Sequence, residues 1–260
     1  MYKILLTILA TLLFSNVAKA GISGAVGVDF SENASDDIIA TKDIDLNISS
    51  DIGFASIAVI TNSSDQLVLD EYAVGVKHTH GTVSYGDQGD IFIGGGLEVV
   101  GANTLENPSA DGESIILTYD KTSIRTKFTD TGTDVTDFDT IQLSQFVSLG
   151  KVEAGVSVDH NIDTDNNIWA VSGAMPVTEK LSLSSVATYD DDNTTDKLGY
   201  EVIASVENVS LFVNGSDDDS LQNAGAGYKS SYKDLDWYVE AGYNYDSKDV
   251  TPAAGISVNF

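Results

Sequence analysis

Apolar and polar residues alternate along most of the chain after residue 20. Between 152 and 159, valine or alanine occupies every even position, and Glu, Gly, Ser and Asp fill the odd positions. Between 235 and 244, Leu, Trp, Val, Ala and Tyr occupy the odd positions. A period of two places alternate side chains on opposite faces of an extended strand. No later stretch has the spacing of an amphipathic helix, so the pattern predicts an all-β protein.

Segmenting the chain on this alternation predicts sixteen strands, and the count is open between fourteen and sixteen. The predicted strands cover residues 21–30, 40–49, 53–61, 67–77, 81–86, 113–120, 123–130, 137–148, 151–159, 167–175, 180–189, 197–206, 209–214, 221–229, 235–245 and 250–260.

The connections between these strands alternate between short and long. Tight turns are predicted at 150–151, 177–180 and 207–208, and longer acidic links at 161–166, 190–196, 215–220 and 246–249. Bacterial outer-membrane barrels have short periplasmic turns and longer external loops. An even number of strands places both chain ends on the side of the tight turns, which agrees with that arrangement.

One predicted connection is much longer than the others. It runs from Asp87 to Gly112 and mixes acids with Gly94-Gly95-Gly96, apolar residues and Pro108. Long loops in tightly connected domains are usually functional. We therefore expect this connection to contribute to function.

The first twenty residues are predicted to be a cleaved export signal. Lys3 supplies a positive start, residues 4–14 are almost wholly apolar, and Ala18-Lys19-Ala20 fits a small-residue cleavage site. The apolar run is too short for a bilayer-spanning helix. No Pro-rich or Ser-rich linker divides the rest, so residues 21–260 are predicted to form one domain.

The charge and composition exclude several classes of function. The chain carries 40 acidic and 13 basic residues, for a formal charge of −27, and it has no cysteine. Such a field disfavours nucleic acid as a partner and attracts cations. Thiol chemistry and disulfides are excluded. No sequence motif of a catalytic, nucleotide-binding or metal site is present, so no enzyme activity and no cofactor are predicted.

Two acidic runs and three histidines were considered as metal ligands. The runs Asp190–Asp192 and Asp217–Asp219 lack the spaced ligand pattern of a calcium loop, and solvated external loops are the simpler interpretation. Whether they hold divalent cations stays open. His78, His80 and His160 have no partner in the sequence that indicates a zinc site.

The alternation also fits a soluble β-sandwich, whose apolar side chains face a dry core. In a sixteen-stranded barrel, by contrast, the interior is too wide for side chains to fill. The apolar face must then contact lipid and the polar face must contact water. The polar face here carries Asp, Glu, Ser, Thr and Gly, and many predicted strand ends carry aromatic residues, as in interfacial girdles. We therefore predict a transmembrane antiparallel β-barrel.

Four segments carry a family resemblance. The segment Gly21–Phe30 resembles the first strand of the general diffusion porins of Gram-negative bacteria. Gly81–Gln88 resembles the family's fifth strand entering the constriction loop, and Glu113–Thr126 resembles the strand pair that follows it. Ala254–Phe260 is similar to the terminal strand, ending in Phe, that the barrel-assembly machinery recognises.

The resemblance implies how the pore is narrowed and how the protein assembles. In this family the third external loop folds inward, its acids face basic residues on the wall, and the protein is a trimer. Carried onto this chain, the resemblance makes Asp87–Gly112 the narrowing segment and Phe260 the assembly signal. The implied acids are Asp87, Asp90, Glu98, Glu106 and Asp111. Alternation places the candidate opposing bases, Lys77, Arg125 and Lys127, on the inward face.

The resulting hypothesis is an outer-membrane porin for passive diffusion of ions and small hydrophilic solutes, with a preference for cations. Outer-membrane lipid and lipopolysaccharide would surround it. Alternatives are a substrate-specific channel with fewer strands and a non-conducting barrel that serves as an adhesin or scaffold. A barrel hydrolase would need His160 as its base, since no other histidine is suitably placed.

Overall fold

Sixteen antiparallel strands form a closed barrel in a computed structural model that describes residues 21–32, 38–61, 66–89, 91–92, 112–128, 138–191, 198–217 and 221–260. Each strand pairs with its neighbours in sequence, and β1 pairs with β16 to close the sheet. The predicted all-β class and the strand count of sixteen are confirmed. In the described part of the chain, no helix is long and apolar enough to cross a membrane. The proposed export signal lies outside the described residues.

The strands, numbered in chain order, are β1 Gly21–Glu32, β2 Ile38–Ser49, β3 Gly53–Thr61, β4 Leu67–His78, β5 Gly81–Asp87, β6 Glu113–Tyr119, β7 Thr122–Phe128, β8 Phe138–Leu149, β9 Val152–Asn161, β10 Asn166–Pro176, β11 Leu181–Asp190, β12 Leu198–Val206, β13 Val209–Ser216, β14 Asn223–Tyr232, β15 Leu235–Asn244 and β16 Val250–Asn259.

The predicted boundaries agree with these strands to within about three residues. The largest difference is in β14, which extends to Tyr232 because Tyr232 pairs with Leu235 across a tight turn. Lys233 forms this turn with a positive φ of 58°. The alternation is weak in this serine-rich stretch, so the predicted strand ends three residues before the observed one.

The two faces of the sheet differ in chemistry. Along β2, Ile44 and Leu46 point outward and stay exposed, while Asp43 and Asp45, which alternate with them, point inward. The strand register extends both faces around the barrel, since Ile44 pairs with Val26 and Leu46 pairs with Ile57. An exposed apolar surface of this extent indicates contact with lipid or protein.

Few apolar side chains are buried inside the barrel. The largest buried hydrophobic cluster in the described residues contains Ile203, Phe212 and Ala253, with Tyr238 packed against it. Most buried residues on the inward face are polar or charged instead. The barrel therefore lacks the dry apolar centre of a soluble β-sandwich across its described strands.

The barrel closes where the last residue meets the first strand. The amide N–H of Phe260 donates to the carbonyl oxygen of Gly24 at 2.9 Å, and the N–H of Gly24 donates to the carbonyl oxygen of Phe260 at 3.0 Å. The Phe260 ring covers Gly24, where a Cβ would stand 2.7 Å from the ring carbon Cζ. This seam leaves no open strand edge, which would otherwise promote aggregation.

The wall is lowest at β5, β6 and β7, which have seven residues each, whereas β4 and β8 have twelve. The connection that begins after Asp87 departs from the barrel wall at this low section. Gly86, with a φ of 154°, stands just before it. A side chain at Gly86 would collide with the carbonyl oxygen of Tyr72 on the neighbouring strand.

Candidate pore lining

Carboxylates outnumber basic groups on the inward face. The strand register and the alternation assign the inward side chains on every strand. The inward acids among the described residues are Asp29, Asp43, Asp45, Glu71, Asp139, Glu153, Asp159, Asp190, Glu201, Asp236 and Glu240, and the inward bases are Lys77, Arg125, Lys127 and Lys229.

A row of acids crosses the inner wall on β1, β2 and β4. Asp45 pairs in register with Ala58, which pairs with Glu71. Asp43 and Asp29 continue the row towards β16, where the Tyr238 hydroxyl donates to Asp29 Oδ1 at 2.9 Å. Glu71 is exposed, and Asp43 and Asp45 are half-buried. Glu71 and Asp45 are therefore accessible from the inside of the barrel, and Asp43 is accessible in part, since its Oδ1 is buried.

The bases on β7 are buried and engaged. Arg125 is 1% exposed, and its Nη2 donates to the carbonyl oxygen of Gln88 at 3.1 Å. Lys127 Nζ lies 3.1 Å from Asp139 Oδ2. Both side chains point inward, as predicted, but they contact protein rather than open space.

The described start of the long connection enters the barrel. Ser84 Oγ donates to Gln88 Oε1 at 2.8 Å, and Gln88 Nε2 donates to the carbonyl oxygen of Ser114 at 3.3 Å. Phe92 is buried. Because Ser84 and Arg125 are inward residues, these contacts place Gln88 inside the barrel. A Cβ atom added to Gly89 would stand 3.5 Å from Glu71 Oε1, so the Glu71 carboxylate lies beside the start of the connection.

The structure places the remaining predicted site residues in different surroundings. Asp87 ends β5, where its Oδ1 accepts a hydrogen bond from the Gly112 N–H at 3.0 Å. It shares its face with Tyr85, on the outward side. Lys77 lies at the other end of β5, beside the tight turn to β4, and donates to Ser49 Oγ. Asp90, Glu98, Glu106 and Asp111 lie outside the described residues.

The wall acids Asp29, Asp43, Asp45 and Glu71 were not among the predicted pore residues. The alternation of β2 does reveal Asp43 and Asp45, but the family resemblance assigned the pore acids to the connection. The alternation does not indicate that Glu71 points inward, because a β-bulge interrupts it: the register between β3 and β4 shifts at Ala58 and Val59. Asp70 and Glu71 then stand side by side and break the alternation.

Polar side chains also occupy the outward face beside the low wall. The Tyr72 hydroxyl donates to Glu113 Oε1 at 2.6 Å, and the Tyr85 hydroxyl donates to Glu113 Oε2. Their neighbours on the same face, Val83 and Ile115, are exposed apolar residues. We call Tyr72, Tyr85 and Glu113 the outward polar patch. A carboxylate here would be poorly solvated if lipid alone covered it.

A cavity of about 690 Å³ opens on the inner wall at the end that carries the tight turns. Its lining includes Asp29, Asp43, Ser210, Lys229 and Tyr238. Lys229 Nζ lies 3.4 Å from the buried Glu240 Oε1, which balances the charge of Lys229. The lining is therefore polar and acidic overall, as expected for a wall in contact with water.

The described acids of the two acidic runs, Asp190, Asp191 and Asp217, bind groups at the strand ends, while Asp192, Asp218 and Asp219 lie outside the described residues. Asp190 Oδ1 accepts from Asn166 Nδ2 at 3.1 Å, and Asp191 accepts from the Asn167 N–H at 2.8 Å. Asp217 Oδ1 accepts from the Leu198 N–H at 3.1 Å. Among the residues described, no group of three or more His, Asp or Glu side chains could hold a metal ion.

Comparison with solved structures finds barrels of the same kind. A multiple mutant of the Rh. blastica porin shares 12% sequence identity and has a TM-score of 0.65, over 93% of this chain and all of that one. The fold is that of a porin barrel. A loop-deleted form of OmpT, an outer membrane protein of Vibrio cholerae, shares 10% identity with a TM-score of 0.60, over 93% of this chain and 99% of that one. No protein-family model matches the chain, and no curated protein matches it.

Proposed function

We propose that the chain forms a water-filled pore in the outer membrane of a Gram-negative bacterium. One observation carries this proposal: a closed sixteen-stranded barrel has exposed apolar side chains outside and charged side chains inside. Barrels of this size leave an aqueous channel. Ions and small hydrophilic solutes would pass by diffusion, and no step requires a catalytic group.

The pore is proposed to prefer cations. The excess of inward carboxylates over inward bases gives the wall a negative potential, which raises the local concentration of cations and repels anions. The wall acids Asp43, Asp45 and Glu71 support this preference because they are at least partly exposed to the interior.

A substrate-specific channel is less well supported. Such a channel would need aromatic side chains along the path of the solute. Of the inward aromatics, Phe212 is only 2% exposed, and Tyr238 packs against the cluster of Ile203, Phe212 and Ala253. The other two on the strands, Phe54 on β3 and the 41% exposed Phe146 on β8, stand on strands that do not pair with each other. Phe212 is thus unavailable to a solute, and the described inner wall does not offer a continuous aromatic surface.

Homotrimer formation belongs to the same proposal. The outward polar patch lies beside the lowest part of the wall, where strands of seven residues span less of the apolar layer than their longer neighbours do. Cover by another copy of the chain would remove the Glu113 carboxylate from lipid. Export through the signal at residues 1–20 and insertion by the barrel-assembly machinery would precede this step.

Recording from the purified protein in planar bilayers tests the function. In a gradient of KCl, we expect a reversal potential on the cation-selective side. Because a trimer inserts three pores together, the current should close in three equal steps. Anion preference would contradict the selectivity, a single step would contradict the trimer, and insertion without current would favour a non-conducting scaffold.

A further inference from the structure

Exposure of the inward side chains differs sharply around the barrel. On β8, β9 and β11, the inward residues Gln142, Ser144, Ser157 and Thr188 are at most 2% exposed. On β2 and β4, Asp43 and Asp45 are half-buried, and Asn47 and Glu71 are exposed. A side chain that lines an open aqueous channel must be accessible to water. At the level of these residues, the inner wall is therefore covered on the side of β8, β9 and β11 and open on the side of β2 and β4. Nearer the tight turns, the inward residues Phe146 and Glu153 are exposed on β8 and β9 as well.

The buried bases belong to the covered side. Arg125 binds the carbonyl oxygen of Gln88, and Lys127 pairs with Asp139. Both interactions satisfy charge within the protein, as expected for groups removed from water. Arg125 thus holds the start of the long connection against β7, while the stem of Lys127 lies beside Gly112 at the end of the connection. Neither base has much surface left for a passing ion.

Glu71 lies where the open side meets the connection. Its carboxylate is beside Gly89 and within electrostatic reach of Asp45, Asp87 and Arg125. Because the start of the connection occupies part of the barrel interior beside Glu71, the open space is reduced there. An ion that passes between the connection and β4 would have to pass this carboxylate.

We infer that ions cross the barrel off its axis, along the inner faces of β1, β2 and β4, and that Glu71 and Asp45 set the preference for cations. Arg125 and Lys127 lie outside this path; Arg125 positions the start of the connection, and Lys127 is paired with Asp139. The inference rests on the proposed function, since it requires that the barrel conducts. It departs from the expectation that acids of the connection face bases of the wall.

Coulombic attraction in the open space favours this path for cations. Asp43 and Asp29 extend the acidic row across β2 and β1, and both line the cavity described above. Successive carboxylates along one wall allow a cation to move between neighbouring sites of similar energy, which conduction requires. Lys77 is the base on this wall and lies at the rim, where it donates to Ser49.

Single cysteine variants can test the path, since the chain has no native cysteine. Asp45→Cys and Glu71→Cys place a thiol on the open wall. Ser144→Cys and Ser157→Cys place one on the covered wall, with little change in side-chain size. Each variant would be recorded in a bilayer during addition of a small cationic methanethiosulfonate reagent, and the extent of labelling would be read by mass.

We expect the two open-wall thiols to react and the current to fall stepwise, with a loss of cation preference. The thiols on the covered wall should react at least roughly tenfold more slowly than those on the open wall, because a thiolate must be accessible to attack the reagent. Labelling after denaturation shows that every thiol is present. Resistance to unfolding on SDS gels at room temperature shows that each barrel has closed.

Equal labelling and equal block on both walls would show that the path is axial, and the inference would be wrong while conduction stands. The same holds if labelled Glu71→Cys keeps its full current and selectivity. Absence of current in the unsubstituted protein would instead contradict the proposed function itself. Ser144→Cys and Ser157→Cys serve as a matched pair, so a failure of one to close leaves the other to decide.

Discussion

The double substitution Asp45→Lys, Glu71→Lys is expected to change the pore from cation-preferring to anion-preferring. Each replacement exchanges a negative charge for a positive one on the open wall. One charge about 7 Å from an ion in water contributes roughly 0.6 kcal/mol. Each replacement changes the wall charge by two units, so the double variant changes it by four units, or about 2 kcal/mol in total. Screening by salt reduces this energy. We therefore expect the permeability ratio to change by roughly tenfold or more, with a reversal potential of opposite sign in a KCl gradient.

A matched control separates the wall from the overall charge of the protein. Asp163 and Asp246 lie in exposed connections, and Asp163→Lys with Asp246→Lys changes the net charge by the same amount. This control should keep the cation preference. If the wall variant also keeps it, then Asp45 and Glu71 do not set selectivity.

Loss of Phe260 is expected to reduce sharply the amount of assembled barrel. Deletion removes both backbone hydrogen bonds to Gly24 and the ring that covers it. Each such bond contributes about 1 kcal/mol, and a loss of 1–2 kcal/mol can change abundance several-fold. The resemblance adds recognition by the assembly machinery. We expect heat-modifiable barrel in outer-membrane fractions to fall several-fold.

Two further variants distinguish the ring from the seam. Phe260→Ala keeps the backbone bonds and removes only the ring, so it tests the ring, which covers Gly24 and is the proposed recognition element, without loss of the hydrogen bonds. Leu149→Ala removes an outward apolar side chain, 66% exposed, from a strand end at the same rim and should assemble normally. Normal assembly of Phe260→Ala would show that the terminal ring is not an assembly signal.

The strands could be predicted because the alternation of apolar and polar residues within each strand reflects the surroundings of its two faces. In β2, three apolar residues on one face and acids on the other are enough to define both conformation and sidedness. The tight turns and the connection after β5 followed from the same pattern. Alternation also identified Arg125 and Lys127 as inward residues, which the register confirms.

The pore lining could not be predicted with the same success. Whether an inward side chain is open or covered depends on where the long connection packs inside the closed barrel. The alternation of residues along a strand carries no information about that. Arg125 and Glu71 both point inward, yet one is buried and the other exposed. Asp87 is a different case, because its alternation with Tyr85 already indicated the outward face.

In the proposed barrel, one face of each strand contacts lipid while the other contacts water. Spin labels at successive positions 43–48 of β2 can distinguish the two faces by collision with oxygen, which concentrates in lipid, and with a water-soluble nickel complex. We predict that labels at Ile44, Leu46 and Ile48 meet oxygen, and that labels at Asp43, Asp45 and Asn47 meet the nickel complex. Labels at the apolar positions shielded from both reagents, as in a dry core, would contradict the account.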